Sequence, residues 1–585
     1  MMKATTTAAV QSGPELSARS IVIGLFVALI IGSAYPYCVL KLGFGPNLSV
    51  VSAFLGFMSL VPLVFLMRMF LPSFADTNAR ENNIVQTMGT SAGQTAFMCV
   101  LLAAFDMLNT KGVLNPPIHL GTAQIFFWLC SASLLGILLA VPMRRHYIDE
   151  ENLTYADGLA AGETIVVLHE GREKGTNAGS LKALGLGALG SGALMVLTSF
   201  LKLFPDTWLV PGMQDMRIGL NWSLLSFGSG LLVGFRICLS MAIGTFISWF
   251  LLPRFLLSHG MIPALTYPQT LLWVMWPATG LMVAGGLTSL ALKWNLIVKS
   301  FRGLRGSNIS SEDSPREFPM RWVVIGSLVM TVVICFVQYF SMGIPLWLSL
   351  IAILLSLPLM LVGLRVLGET NWGPISALSN MMQAIFAFIA PGNLPVNMSS
   401  SGLTGTIAVT SEALMQDFKA GQLIRSNPRS LTIAQLIAAP IGALATALVY
   451  PVLRDQFGIG PSGLNSPISV KWAGFAELLT KGLSALPPGC LVGLVIGIVA
   501  GIGLTLLAEK YGENVPSPAA IGIGMLIQAA VLITFILGGV AQLIWAKTSP
   551  KSEEDFRIPL ASGLIVGEAI LAVVLALLAA FGFNF

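Results

Sequence analysis

The sequence predicts an all-α polytopic integral membrane protein, with about 12–16 transmembrane or re-entrant helical segments in two related halves. Three observations carry this. Of 585 residues, 55% are hydrophobic and only 10% charged, where soluble domains carry roughly a quarter charged. Apolar runs long enough to cross a bilayer recur from end to end, as in Ile21–Leu40, Trp322–Phe340, Leu348–Leu364, Leu491–Leu507 and Leu560–Phe583. Short echoes of the first part of the chain return in the second. The short alternating segments of a membrane barrel are absent.

Residues 1–19 are polar and form an expected cytoplasmic tail. The apolar run after them exceeds a signal-peptide core of about 7–15 residues, so it reads as a retained first spanning helix. Residues 20–292 form the first membrane half. The next interruption, "KWNLIVKSFRGLRGSNISSEDSPREFPMR", holds six basic and three acidic residues. The positive-inside rule makes 293–320 a cytoplasmic linker, and 321–585 the second half. Arg144–Arg145, Arg172–Lys182 and Lys419–Arg429 are expected on the same side. The net charge of +5 therefore reports topology, and no nucleic-acid partner is expected. Six cysteines and four histidines lie dispersed with no CxxC, so neither a disulfide framework, a metal site nor a cofactor is expected.

"ADGLAAGETI" (156–165) and "ASGLIVGEAI" (561–570) agree at six of ten positions, Glu163 and Glu568 among them. "KALGLGALGSGAL" pairs with "TIAQLIAAPIGAL". "ENNIVQTMGTSAGQ" pairs with "ETNWGPISALSNMMQ", both beginning Glu-x-Asn. Such repeats are the sequence mark of transporter architectures.

Two catalytic-looking strings lose their appeal in this setting. "GTSAG" (89–93) matches a nucleophile elbow but lacks the strand and soluble sheet that motif needs. "GLGALG" (185–190) opens no βαβ unit, and its small residues suit close helix packing. No phosphate-binding loop of the G-x-x-x-x-G-K-[ST] type occurs, so the chain does not itself hydrolyse ATP.

The stretch "RENNIVQTMGTSAGQT" (80–95) is polar between two apolar runs. At 100° per residue Asn83, Thr87, Thr90 and Gln94 share one face of a helix, with Met88, Ala92, Ala96 and Cys99 opposite. Lipid contact would cost several kcal/mol per unpaired group, so the stripe faces protein or a wet cavity. It is either interhelical glue or the wall of a substrate pathway. Glu369, Asn371 and Pro374 head a broken segment, the best sequence pointer to a transport site. The Ser/Thr/Gly-rich run 391–421 is too polar for lipid. Residues 399–412, with Ser399, Ser400, Thr404 and Glu412, are expected to line a cavity, and 416–419 to be a cytoplasmic helix end; a simple loop is the alternative. Glu163 and Glu568, set among small and apolar residues, are candidates for proton coupling, because an intramembrane ionisable group is functional by default. Their alternative is a carboxylate at a helix terminus.

"ENNIVQTMGTSAGQ", "SEALMQDFKAGQLIRSNPRSLTIAQLIA", "NVPSPAAIGIGM" and "ASGLIVGEAI" resemble segments of the oligopeptide transporter (OPT) superfamily, which includes peptide carriers and yellow-stripe-like carriers of metal chelates. The resemblance covers both halves in matching order. It implies a proton-coupled secondary transporter of about sixteen helical segments, with a peptide, modified peptide or siderophore-like metal chelate as cargo. It also implies a compact prokaryotic-type member in a cell membrane, inner or plasma. The family's polar segment carries over to Asn82, Asn83, Gln86, Thr87, Ser91 and Gln94, and its Gln-Asp-x-Lys-x-Gly stretch to Gln416, Asp417, Lys419 and Gly421. The NPG and KIPPR strings of the peptide-carrying branch are absent, and Gln94 stands where some relatives carry Glu. The expected partners are the cargo, a co-transported proton and the lipid bilayer; a homo-oligomer is left open. The rival classes are a passive channel or receptor-like membrane module and a membrane-embedded enzyme. The last would need a convergent catalytic set, and the histidines are dispersed.

Overall fold

The apolar runs fold as helices because a backbone in lipid must satisfy its own hydrogen bonds within each segment. The computed structural model describes residues 15–42, 48–114, 117–173, 178–292, 316–460, 464, 466–480 and 486–580. The first part holds α1 (Ala18–Leu42), α2 (Leu48–Phe70), α3 (Ala79–Phe97), α4 (Cys99–Thr110), α5 (Thr122–Ala140), α6 (Ala156–Glu173) and α7 (Ala178–Met195). After a two-stranded ribbon, Thr207–Leu209 against Gly219–Asn221, come α8 (Leu224–Val233), α9 (Phe235–Phe246), α10 (Leu252–Ser258) and α11 (Tyr267–Leu292). The remainder holds α12 (Met320–Met342), α13 (Leu346–Thr370), α14 (Ile375–Ile389), α15 (Leu394–Ile424), α16 (Pro428–Phe457), α17 (Pro467–Thr480), α18 (Cys490–Tyr511), α19 (Pro518–Leu526), α20 (Ala529–Thr548) and α21 (Pro550–Ala580).

Among the described residues, 12 helical segments are long and apolar enough to span a membrane. Peripheral helices turn large apolar side chains outward, such as Leu328, Val332 and Phe340 on α12 and Val492, Ile496 and Val499 on α18. In water such faces are liabilities; against lipid tails they are matched. The chain is thus an all-α polytopic membrane protein. Residues 1–14 of the expected tail and 293–315 of the expected linker lie outside the described residues.

Helix α15 is the axis of the bundle. Its 31 residues rise about 46 Å, and it packs against α3, α5, α6, α13, α14, α16 and α17. Neither the loop nor the helix end expected in 391–421 is found: the helix starts on the Asn393 side chain, which accepts from the Val396 N–H, and runs past 416–419 to Ile424. Small residues let its neighbours approach the backbone closely. Gly136 of α5 sits on Ile407 and Thr410, while Gly158 and Gly162 of α6 sit on the backbones of Gln416 and Ala420. The glycines aligned with these, Gly563 and Gly567 of α21, rest in the same manner on Leu184 and Ala188 of α7. Gly187 of the "GLGALG" string meets α21 at Leu560 and Leu564, as expected for packing.

Several basic segments meet at one end of the bundle. Arg144 binds Glu317, the Arg429 N–H donates to the Arg316 carbonyl (3.1 Å), and Glu15 accepts from the Asn427 N–H (2.8 Å).

Candidate functional site

The polar stretch 80–95 is a helix, α3, and it is buried on nearly every side. Its start is fixed by a capping box, in which Asn78 accepts from the Glu81 N–H (2.9 Å) and Glu81 reaches back toward Asn78. Glu81 also binds Arg19 of α1 at 2.6 Å. One side of α3 meets α1 and α2 through small residues: Gly89 lies against Ser52 and Gly93 against Leu48.

The opposite side faces α15 and α16, and here the amide groups find partners. Gln86 Nε2 donates to Asp417 Oδ1 at 2.6 Å, and Gln435 Nε2 to Asp417 Oδ2 at 2.5 Å. Asn83 donates to Ser426 Oγ (2.9 Å), Thr90 to the Gln86 carbonyl (2.9 Å), and Ser91 to the Gln435 carbonyl (3.0 Å). Thr87 Oγ1, Asn83 Oδ1, Gln86 Oε1 and Gln435 Oε1 are buried without a partner. Gln94 is only partly buried. Asn82 points away, toward α2, where Gly56 leaves it room; both its amide atoms are unpaired.

Asp417 is therefore a fully buried acid held by two neutral amides. Among the described residues no cation touches it. Of its motif neighbours, Lys419 donates to Asn152 (2.7 Å), Gln416 accepts from Ser49 (3.3 Å), and Gly421 gives room to Leu431.

A second polar patch lies about 20 Å along α15, thirteen residues nearer its start. Thr404 and Ser356 share a hydrogen bond of 2.8 Å, Ser400 donates to the Asn397 carbonyl (3.0 Å), and Asn397 donates to the Gln383 carbonyl (2.6 Å). Ser399 Oγ, Ser401 Oγ, Asn397 Oδ1 and Gln383 Oε1 are buried and unpaired. Between the two patches sits Glu412, 5% exposed, with Oε1 unpaired. From Asn397 to Asp417 the polar line is about 30 Å long, the thickness of a bilayer's apolar core.

The segment with Glu369 and Asn371 is broken. α13 ends at Thr370, Asn371 adopts φ 62°, and α14 begins at Ile375. Glu369 binds Arg365 (3.0 Å) and accepts from Ser517 (2.5 Å), while Arg365 also binds Glu151 at 2.7 Å. Asn371 and Asp157 exchange hydrogen bonds of 2.7 and 3.0 Å. The echo between this segment and 81–94 stops at composition, since Glu81 begins a continuous helix and Glu369 ends one.

Glu163 lies in α6, partly buried. Glu568 accepts from the Ser223 hydroxyl (2.7 Å) and the Leu225 N–H (2.8 Å). It thus serves a helix terminus, the alternative role expected for it, but the terminus is that of α8, 343 positions away. These bonds tie its carboxylate to α8 rather than to the polar line along α15.

Sequence reasoning missed Gln435, Ser426, Gln383, Asn397, Arg365 and Asp157 as members of these networks. Gln435 and Arg365 each stand alone in apolar text, and the rule that marks intramembrane polar groups would have found them. Asn397 and Gln383 sit inside longer polar strings, where nothing local distinguishes them from their neighbours.

A family model described as OPT oligopeptide transporter protein matches residues 15–579. A Saccharomyces cerevisiae protein that carries the name of an oligopeptide transporter is 23% identical, over 96% of this chain and 95% of its own. A metal-nicotianamine transporter of Arabidopsis thaliana is 23% identical over 97% and 93% of the two chains. An iron-phytosiderophore transporter of Zea mays, yellow stripe 1, is 24% identical over 94% and 88%. A polar line through the centre of an apolar bundle is the arrangement a membrane carrier needs, and the match runs nearly end to end. The chain is a multi-pass membrane protein of the OPT oligopeptide transporter family.

Proposed function

We propose that the chain is a secondary carrier that moves peptides or small metal chelates across the cell membrane by alternating access, driven by protons. The observation that carries this is the buried polar line on α15, from Asn397 to Asp417, bordered by the amides of α3, α14 and α16. Its unpaired carbonyl and hydroxyl oxygens are groups a cargo would satisfy, and leaving them empty costs about 1–3 kcal/mol each. Helix α3 supplies one wall through Asn83, Gln86, Thr87 and Thr90, with Ser91 and Gln94 further along. The break at 371–374, with Glu369 and Asn371 locked to neighbouring helices, is the place where one part of the bundle can turn against another. The linker 293–320 joins the two halves on the cytoplasmic side in this reading.

Peptides and chelates share the chemistry this wall recognises, namely amides, carboxylates and amines. The names of the relatives divide between the two cargo classes. The test is uptake into liposomes holding the purified protein, with iron–nicotianamine and a set of tri- and tetrapeptides as probes. Saturable accumulation that follows a pH gradient is the expected result. Uptake that never saturates and never exceeds equilibrium would make the chain a channel, and accumulation indifferent to the gradient would remove the proton.

A further inference from the structure

Helix α15 carries two acids five residues apart, so they project about 140° from one another. Asp417 is turned to α3 and α16 and receives a hydrogen bond on each oxygen. Glu412 is turned to α13 and to the break before α14, and receives none on Oε1. Its carboxylate is wrapped by two glycines. A Cβ on Gly363 would lie 3.0 Å from Oε1, and one on Gly373 would occupy the position of Oε2. Neither glycine has a positive φ, so they are not needed for a turn of that kind; what their lack of a side chain provides is room for the acid.

The charged and titratable groups around Glu412 are otherwise engaged. From α13, Arg365 is held by Glu151 and Glu369. From α6 and the segment before it, Asp157 is held by Asn371, and Tyr155 donates to the Leu364 carbonyl (2.9 Å). On α15 itself Lys419 donates to Asn152. α5 offers only the Cys130 thiol, and α14 has no titratable side chain. No cation among the described residues touches Glu412.

We infer that Glu412 is the acid that takes up and releases the transported proton, rather than Glu163 or Glu568. The inference rests on the carrier reading above. A carboxylate oxygen buried without a donor carries a cost that one bound proton removes. Gly373 belongs to the non-helical link 371–374, and links at element ends are where domain motions are absorbed. Displacing that link would wet the carboxylate, and water would then stabilise the ion and accept the proton. Closing it would favour a carboxylate that had been protonated from the other side. Asp417, with an amide on each oxygen, has no such dependence on the link.

The decisive variant is Glu412→Gln, which keeps the shape and removes the acid. In liposomes with iron–nicotianamine or tri-alanine as probe, it is expected to lose accumulation driven by a pH gradient, falling to the level of empty liposomes. Exchange between equal concentrations on the two sides should persist, so that the loss falls on gradient-driven accumulation. Infrared difference spectra of the purified protein across a pH titration should lose one protonated-carboxyl band. Wild-type accumulation in Glu412→Gln overturns the proposal, and so does equal loss of exchange, which would make Glu412 a cargo contact. If that variant does not fold, Gly373→Ala crowds the carboxylate and leaves the acid in place. In the same assays it should lose more accumulation than exchange; wild-type accumulation, or equal loss of exchange, again overturns the proposal. Should the wild type move none of the probes, the carrier reading fails on its own; the infrared titration still decides about Glu412, because a band that persists in the variant refutes it.

Discussion

The Gln86–Asp417–Gln435 arrangement predicts that replacing the Asp417 carboxyl by an amide and removing its hydrogen bonds altogether have very different costs. Asp417 receives one amide N–H on each oxygen, at 2.6 and 2.5 Å. In Asp417→Ala both donors lose their acceptor. At about 0.6–1.7 kcal/mol for each interhelical bond in a membrane, the loss is roughly 1–3 kcal/mol before any cavity term. Asp417→Asn turns one oxygen into an NH2 group, which would face another NH2 group. Both glutamines, however, have an unpaired Oε1, so one end-for-end turn of an amide restores the pair. Gln86 is tied by a second bond to Thr90 (3.0 Å), so Gln435 is the one expected to turn. The Asn variant should therefore lose less than about 1 kcal/mol. Chemical unfolding in detergent or bicelles reads both values, and a double-mutant cycle of Asp417→Ala with Gln435→Ala should return a coupling of about 0.6–1.7 kcal/mol. Equal destabilisation by Asn and Ala, or a coupling of zero, would refute the reasoning.

Two further outcomes follow from contacts elsewhere in the bundle. Gly136→Val should push α5 off α15, because its side chain would overlap Thr410 and the Ile407 backbone; overpacking of this kind costs about 1–3 kcal/mol or more, read as a lower melting temperature and a smaller monodisperse fraction on size exclusion. Glu568→Ala should cost about 0.5–2 kcal/mol by stripping two acceptors from the start of α8, whereas Glu568→Gln, which keeps an acceptor, should leave pH-driven uptake unchanged; loss of that uptake would restore Glu568 as a coupling acid.

The membrane fold was legible because apolar runs of spanning length can do little else in lipid. Helix α15 was not, and the reason lies in its hydroxyls. Thr404, Thr406 and Thr410 each donate to the carbonyl four residues back, and Ser411 to one three back. A hydroxyl satisfied by its own helix adds polarity to a hydropathy sum without needing water. The run therefore reads as too polar to be inside, while nearly all of its residues are buried. The stripe on α3 was visible from its 100° spacing, yet the same spacing says nothing of Asp417, 331 positions away. Glu163 and Glu568 stood out because they align with each other and sit in apolar text. Glu412 drew less notice as a proton site, since its neighbours Thr410 and Ser411 make the text look polar, although its Oε1 is buried without a donor.

The two acids of α15 also sit in settings that differ in how they would respond to a turn of the bundle. Asp417 receives an amide on each oxygen, one from α3 and one from α16, so it ties three helices together. A group that couples to protons must change its surroundings during the same turn, and Glu412 is covered by α13 on one side and by a chain break on the other. Both ride on one rigid helix, about 7.5 Å apart along its axis. A displacement of the 371–374 link thus alters the setting of Glu412 directly, while Asp417 feels it only if α15 moves against α3 or α16. On the proposal made above for Glu412, coupling requires no relay of side chains, because α15 carries the acid and the link covers it.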